Sequence, residues 1–228
     1  MLRQTFAEFR AFLAAPRLIA PMPLGGHWSR WAAMVGLYLM GLLVIGAGLA
    51  LWQRTFHVPA PAAFGGYSPA ILAVIVVLVA PICEEAAFRG WLTGRPRALW
   101  LLGVGLVAGG WLVAVMLHWH DQVASLCFVA TVLIALIGWL ILRKRTDPPR
   151  WFARGFGGWF YLSVAVFGLS HLANYPHLSW ALVPMVLPQV WAGLVFGYLR
   201  MRHGLIASIL AHAAGNAAAL AAALLIAG

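Results

Sequence analysis

The chain has few acidic residues, and two of them lie side by side in an apolar segment. Only five of the 228 residues are Asp or Glu, and Glu84 and Glu85 follow a run of Ile, Leu and Val. A carboxylate near the centre of a bilayer costs about 2.5–3.5 kcal/mol on insertion scales, so an acidic residue in such a segment indicates function. Arg89 is four residues after Glu85 and can pair with it on one helical face, which leaves Glu84 free for chemistry. The alternative is a purely structural cluster in which both glutamates pair with Arg89.

Two later apolar segments contribute further polar side chains at helical spacing. Phe167 and His171 are four residues apart, as are His212 and Asn216, so each pair shares one face of a helix. A carboxylate, two imidazoles and an amide suit the activation of water and the stabilisation of an oxyanion. Because isolated polar groups are costly in apolar surroundings, the sequence predicts that six side chains face one polar cavity: Glu84, Glu85, Arg89, His171, His212 and Asn216.

The composition requires that these residues lie in a membrane protein. Hydrophobic residues make up 64% of the chain and charged residues 9%, against about 45–50% and about 25% in soluble domains. A bilayer-spanning helix needs about 20 apolar residues. The fold class predicted is therefore an all-α, polytopic transmembrane bundle of about seven spans, near residues 31–52, 70–88, 98–118, 123–142, 157–172, 180–199 and 204–227.

The formal charge of +10 reflects orientation in the membrane and not nucleic-acid binding, since no soluble basic domain is present. With seven spans and a cytoplasmic N-terminus, every Lys and Arg except Arg54 falls on the inner side, as the positive-inside rule requires. We therefore expect a C-terminus on the outer side. The expected location is a bacterial inner membrane, and the oligomeric state is left open.

The domain organisation predicted is an N-terminal segment, residues 1–30, followed by one membrane-embedded domain, residues 31–228. Arginines alternate with Phe6, Phe9 and Phe12 in the N-terminal segment, a pattern typical of an amphipathic helix at the membrane interface. Cys83 and Cys127 lie within apolar spans and are expected to be reduced, buried thiols.

The three polar motifs resemble the signature of the CPBP family of intramembrane endopeptidases, which includes the CAAX prenyl proteases and the bacteriocin-immunity Abi proteins. Glu84-Glu85-x-x-x-Arg89 is similar to the first motif, Phe167-x-x-x-His171 to the second and His212-x-x-x-Asn216 to the last. The resemblance covers roughly residues 70–220. The family usually places its second motif on the next helix, so residues 98–142 are interpreted as an inserted hairpin between core segments 70–97 and 155–220.

The resemblance implies hydrolysis of a peptide bond in a membrane-associated protein or peptide. Glu84 and His171 would activate water, Glu85 and Arg89 would orient the site, and His212 and Asn216 would stabilise the oxyanion. No cofactor is expected to be required, although zinc is formally possible because Glu84, His171 and His212 could supply three ligands. The alternatives are a proton-coupled transporter and a non-catalytic scaffold or immunity protein.

One expectation conflicts with this convergence. At about 1.5 Å per helical residue, Glu84 and His212 should lie in the inner half of the membrane and His171 towards the outer side. A wrong boundary for the fifth span or a broken helix would remove the conflict.

Overall fold

A computed structural model describes residues 1–62 and 66–227, and all the regular structure within these ranges is helical. The predicted all-α class is confirmed. The α-helices are α1 (Leu2–Ala14), α2 (Trp28–Thr55), α3 (Pro69–Ala73), α4 (Ala80–Arg89), α5 (Pro96–Met116), α6 (Asp121–Leu142), α7 (Arg150–Arg154), α8 (Phe156–Ser170), α9 (Leu187–His203) and α10 (Leu205–Ala227). A π-helical turn, Val74–Val79, joins α3 to α4, and 3₁₀ turns cover Leu24–Gly26, His171–Asn174 and Trp180–Val186.

Seven helical segments of the described chain are long and apolar enough to cross a membrane, so the predicted number of spans is confirmed. They are Trp28–Thr55, Pro69–Arg89, Pro96–Met116, Asp121–Leu142, Phe156–Asn174, Trp180–His203 and Leu205–Leu225. The protein is an integral membrane protein, whose orientation and bacterial inner-membrane location stay predictions.

The spans expose much of their apolar surface. Leu43 is 72% exposed and Leu106 is 71% exposed, as expected where side chains contact lipid. The prediction of two buried thiols is therefore wrong for Cys83, which is exposed, while Cys127 is half-buried and both are unpaired. An apolar span is hydrophobic on its lipid-facing side too, so hydropathy does not distinguish the protein interior from the lipid.

Residues 93–155 form a compact unit of their own. In it α5 and α6 pack as an antiparallel pair: the indole of Trp100 fits over Gly138 and donates a hydrogen bond to the carbonyl of Ala135 at 3.2 Å. This unit contains the proposed hairpin 98–142, and the insertion of that hairpin into the family's pattern stays a prediction.

The second compact unit comprises residues 1–92 and 156–228 and contains every predicted site residue. Close packing of α8 on α9 depends on two glycines four residues apart. A β-carbon at Gly193 would lie 3.1 Å from Val164, and one at Gly197 would lie 2.6 Å from the ring of Phe160. Small residues at this spacing let helix backbones approach closely.

The N-terminal helix α1 is amphipathic, but its apolar face packs on protein. Phe9 and Phe12 are 3% and 5% exposed, and their ring centroids lie 5.2 and 5.4 Å from that of Tyr198 on α9. On the same helix, Glu8 forms ion pairs with Arg30 of α2 at 3.1 Å and with Arg202 of α9 at 3.0 Å. We call these three residues the Glu8 cluster; it ties α1 to two spans.

Candidate active site

The helix that bears the two glutamates changes its winding one turn before them. Pro81 has no N–H to bond to the carbonyl one turn earlier, and its ring crowds that carbonyl. The π-helical turn Val74–Val79 precedes it. Asn216 of α10 donates a hydrogen bond from Nδ2 to the carbonyl oxygen of Val76 at 2.8 Å. The last motif is thus bound directly to the irregular backbone that precedes the first motif.

The C-terminal end of α4 lies beside the middle of α8 and not beside its start. The hydroxyl of Ser163, in the middle of α8, donates to the carbonyl of Phe88 at 2.7 Å. Arg200 of α9 donates to the carbonyls of Arg89 at 2.9 Å and Gly90 at 3.1 Å, groups that have no partner within a helix that ends there. This offset brings Glu84 level with His171 although α8 is continuous, so the expected difference in depth is wrong.

Three polar side chains form a buried network behind the face of α4 that bears Glu84. Arg89 donates from Nη1 to Glu85 Oε1 at 2.9 Å, and Nδ1 of His212 lies 3.0 Å from the same oxygen. Glu85 is 0% exposed, Arg89 1% and His212 5%. Because the ionised carboxylate can only accept, Nδ1 of His212 carries a proton. The guanidinium of Arg89 also lies 3.8 Å from the ring centroid of Phe167, a cation–π contact.

The other imidazole is held by backbone. His171 opens the 3₁₀ turn after α8, and its Nδ1 lies 2.8 Å from the carbonyl oxygen of Phe167. A carbonyl only accepts, so this nitrogen too is protonated. As a result both imidazoles present Nε2 to Glu84: Glu84 Oε2 is 3.9 Å from Nε2 of His171 and 3.9 Å from Nε2 of His212.

A cavity of about 640 Å³ opens onto these groups. Of the six predicted residues, the four that line it are Glu84, His171, His212 and Asn216. Glu85 and Arg89 are not among its lining residues, so the expectation that all six face it is wrong for these two. They lie behind the wall, where they pair with each other and where Glu85 also bonds to His212. Most of the remaining lining is apolar, including Val76, Ala80 and Phe88.

Sequence reasoning missed four polar residues of the cavity wall: Tyr38 on α2, Ser170 at the end of α8, Asn174 in the 3₁₀ turn after it, and Gln189 on α9. Gln189 is a polar residue within an apolar span, so the signal that identified the histidines was available for it as well. Its Oε1 is buried and has no hydrogen-bond partner in the described part of the chain. Tyr38 has no distinguishing local pattern, because aromatic residues are common throughout this chain.

A zinc site requires closer spacing than Glu84 shows to the two imidazoles. Two ligands about 2.0 Å from a tetrahedral zinc ion lie about 3.3 Å apart, whereas Glu84 Oε2 is 3.9 Å from each Nε2. Within residues 1–62 and 66–227, no group of three or more His, Cys, Asp or Glu side chains is arranged to hold a metal ion. The side chains as placed are too far apart for a zinc coordination shell.

A carboxylate, two imidazoles and an amide at one cavity among membrane-spanning helices suit the activation of water and the stabilisation of an oxyanion. The family model that describes Rce1-like type II CAAX prenyl endopeptidases matches residues 66–153 and 148–218. The chain belongs to this family, which is the CPBP family, and membership indicates CAAX-type intramembrane protease activity. No curated protein and no solved structure matches the chain significantly.

Proposed function

We propose that this protein is an endopeptidase that hydrolyses a peptide bond of a membrane-associated protein or peptide with a water molecule activated by Glu84 and His171. The observation that carries the proposal is the convergence of Glu84 Oε2 with two imidazole Nε2 atoms, each 3.9 Å away, at the wall of the cavity. Hydrogen bonds to water are about 2.8 Å long. One water oxygen therefore fits between the carboxylate and either imidazole.

In the proposed reaction, Glu84 is the general base. His171, oriented by its bond to the Phe167 carbonyl, accepts a hydrogen bond from the water. Glu84 takes a proton from that water as the water oxygen bonds to the substrate's carbonyl carbon, which leaves a tetrahedral oxyanion. When the carbonyl re-forms, the C–N bond breaks, the amine leaves with the proton that Glu84 held, and the new carboxylic acid ionises.

His212 and Asn216 are proposed to stabilise the oxyanion. His212 would then carry protons on both ring nitrogens, with Nδ1–H directed at Glu85. Asn216 has two amide hydrogens. One is bonded to Val76, and the other is available to the substrate.

We propose that this reaction requires no metal, because the spacing of the three side chains suits a bridging water better than a zinc ion. The test is activity after exhaustive chelation, which should be undiminished. Loss of activity on chelation, followed by recovery with stoichiometric zinc, would contradict the metal-free mechanism.

Replacement of Glu84 tests the function itself. Purified protein in detergent should cleave a farnesylated CAAX peptide, the substrate type that the family's description suggests, and Glu84→Gln should remove the general base and lower kcat by at least about a hundredfold. Cys83→Ser is the matched control, since Cys83 is the neighbouring residue but does not line the cavity. Cleavage that survives Glu84→Gln would contradict the proposal.

A further inference from the structure

The first span contributes a phenol to the cavity. Tyr38 of α2 lines the cavity and is 4% exposed. Its ring packs edge-on against Phe196 with centroids 4.7 Å apart, and its backbone carbonyl accepts a hydrogen bond from the indole of Trp191 at 3.0 Å. The residue therefore has a defined position. It also lies outside residues 66–218, the part of the chain that the family model matches.

The hydroxyl end of this phenol touches α10 between the two proposed oxyanion donors. A β-carbon at Gly215 would lie 2.3 Å from Cε1 of Tyr38 and 2.7 Å from its hydroxyl oxygen. His212, Gly215 and Asn216 all line the cavity. Their spacing of three and four residues places them on one face of α10. The phenol can lie against α10 between His212 and Asn216 because Gly215 has no side chain.

Phe196 places Tyr38 beside His212 independently. The Phe196 ring stacks on the imidazole of His212, with centroids 5.0 Å apart and planes at 26°, and the same ring packs on Tyr38. Two contacts, one through Gly215 and one through Phe196, thus locate the Tyr38 hydroxyl on the His212 side of the cavity.

The hydroxyl is available for a ligand. Within the described residues, no hydrogen bond forms from the Tyr38 hydroxyl to protein, whereas an amide hydrogen of Asn216 is already bonded to Val76. We propose that the Tyr38 hydroxyl donates a hydrogen bond to the carbonyl oxygen of the scissile peptide as it becomes an oxyanion, and that it is a catalytic residue supplied by the first span. This inference rests on the proposed peptidase function.

A third donor is needed because His212 and Asn216 each offer the oxyanion only limited stabilisation. Asn216 has at most one amide hydrogen to offer, and His212 can donate only when its ring is doubly protonated. A phenol is a donor that needs no change of protonation. A donor that is already in place stabilises the transition state most where water is excluded.

The test is Tyr38→Phe, which removes the hydroxyl and keeps the ring contacts with Phe196 and Gly215. With the farnesylated CAAX peptide as the probe, we expect kcat to fall about a hundredfold, the usual effect of deleting one oxyanion donor, with KM and Tm unchanged. Tyr198→Phe is the matched control, because Tyr198 is equally buried on α9 but does not line the cavity; it should retain wild-type kcat.

The possible results separate the two proposals. If the wild type cleaves the peptide, Glu84→Gln does not, and Tyr38→Phe matches the wild type, only the role of Tyr38 is overturned. A fall in Tm together with lower activity, or a rise in KM alone, would also overturn it, since Tyr38 would then support structure or ground-state binding. If the wild type itself does not cleave the peptide, the proposed function fails and this inference fails with it.

Discussion

Two glutamate–cation clusters in this protein use the same chemistry in different surroundings. Glu85 pairs with Arg89 and His212 inside the bundle, where all three side chains are almost fully buried. Glu8 pairs with Arg30 and Arg202 where the glutamate side chain is 28% exposed. The inner cluster fixes the orientation of the His212 imidazole at the cavity, whereas the Glu8 cluster joins one helix to two others. Because burial raises the cost of an unpaired charge, we expect changes in the inner cluster to lower stability more than changes in the Glu8 cluster.

The largest effect should follow from Glu85→Gln. It leaves the Arg89 charge buried and unpaired, which typically destabilises a protein by about 3–5 kcal/mol. It also removes the carboxylate that orients the ring of His212. We expect a large fall in Tm in detergent and strongly reduced kcat.

The double variant Glu85→Gln/Arg89→Gln separates these two effects. With no unpaired charge, much of the stability should return, while kcat should stay low because His212 still lacks its carboxylate. Recovery of both Tm and kcat in the double variant would show that the inner cluster has no part in catalysis.

An intermediate effect is expected for Arg89→Lys. Lysine keeps the positive charge for Glu85, but it lacks the planar guanidinium that lies 3.8 Å from the Phe167 ring centroid. Desolvated cation–π contacts contribute about 2 kcal/mol, so Tm should fall by less than in Glu85→Gln, with kcat reduced modestly. A Tm equal to that of the wild type would indicate that charge alone matters at this position.

The smallest effect is expected at the Glu8 cluster. Partly exposed ion pairs contribute up to about 1 kcal/mol each, so Glu8→Gln should lower Tm slightly and leave kcat unchanged. Partial burial raises the pKa of Glu8, but its bonds and attraction to Arg30 and Arg202 outweigh this and hold the pKa below the ordinary value of 4.5.

The sign of that shift sets the pH dependence. Because the folded-state pKa is below the unfolded one, the stabilising contribution is present above about pH 4.5 and is lost as the pH falls through the folded-state value. The difference in Tm between wild type and Glu8→Gln should thus shrink on acidification. A difference that grows in acid would contradict the assigned ion pairs.

Local sequence patterns determined the spans and most of the candidate site residues. The spans follow from the length of apolar runs, since a bilayer demands about 20 such residues. The choice of Glu84, His171 and His212 follows from the cost of polar groups in those runs. Helical spacing also placed Glu85 and Arg89 on one face, because residues four apart are neighbours in any α-helix.

Only the tertiary structure decided how the helices are offset from one another. The capping of α4 by Arg200 and its bond to Ser163 join residues more than 70 positions apart, and such contacts leave no trace in local periodicity. That offset brings His171 level with Glu84. The tertiary structure also decided the position of Tyr38, which reaches the cavity because position 215 has no side chain. The sequence by itself determined which polar groups needed partners inside the membrane, since burial without partners is costly. The packing of the helices decided which partners those groups have, because complementary helix surfaces come into contact only in the folded chain.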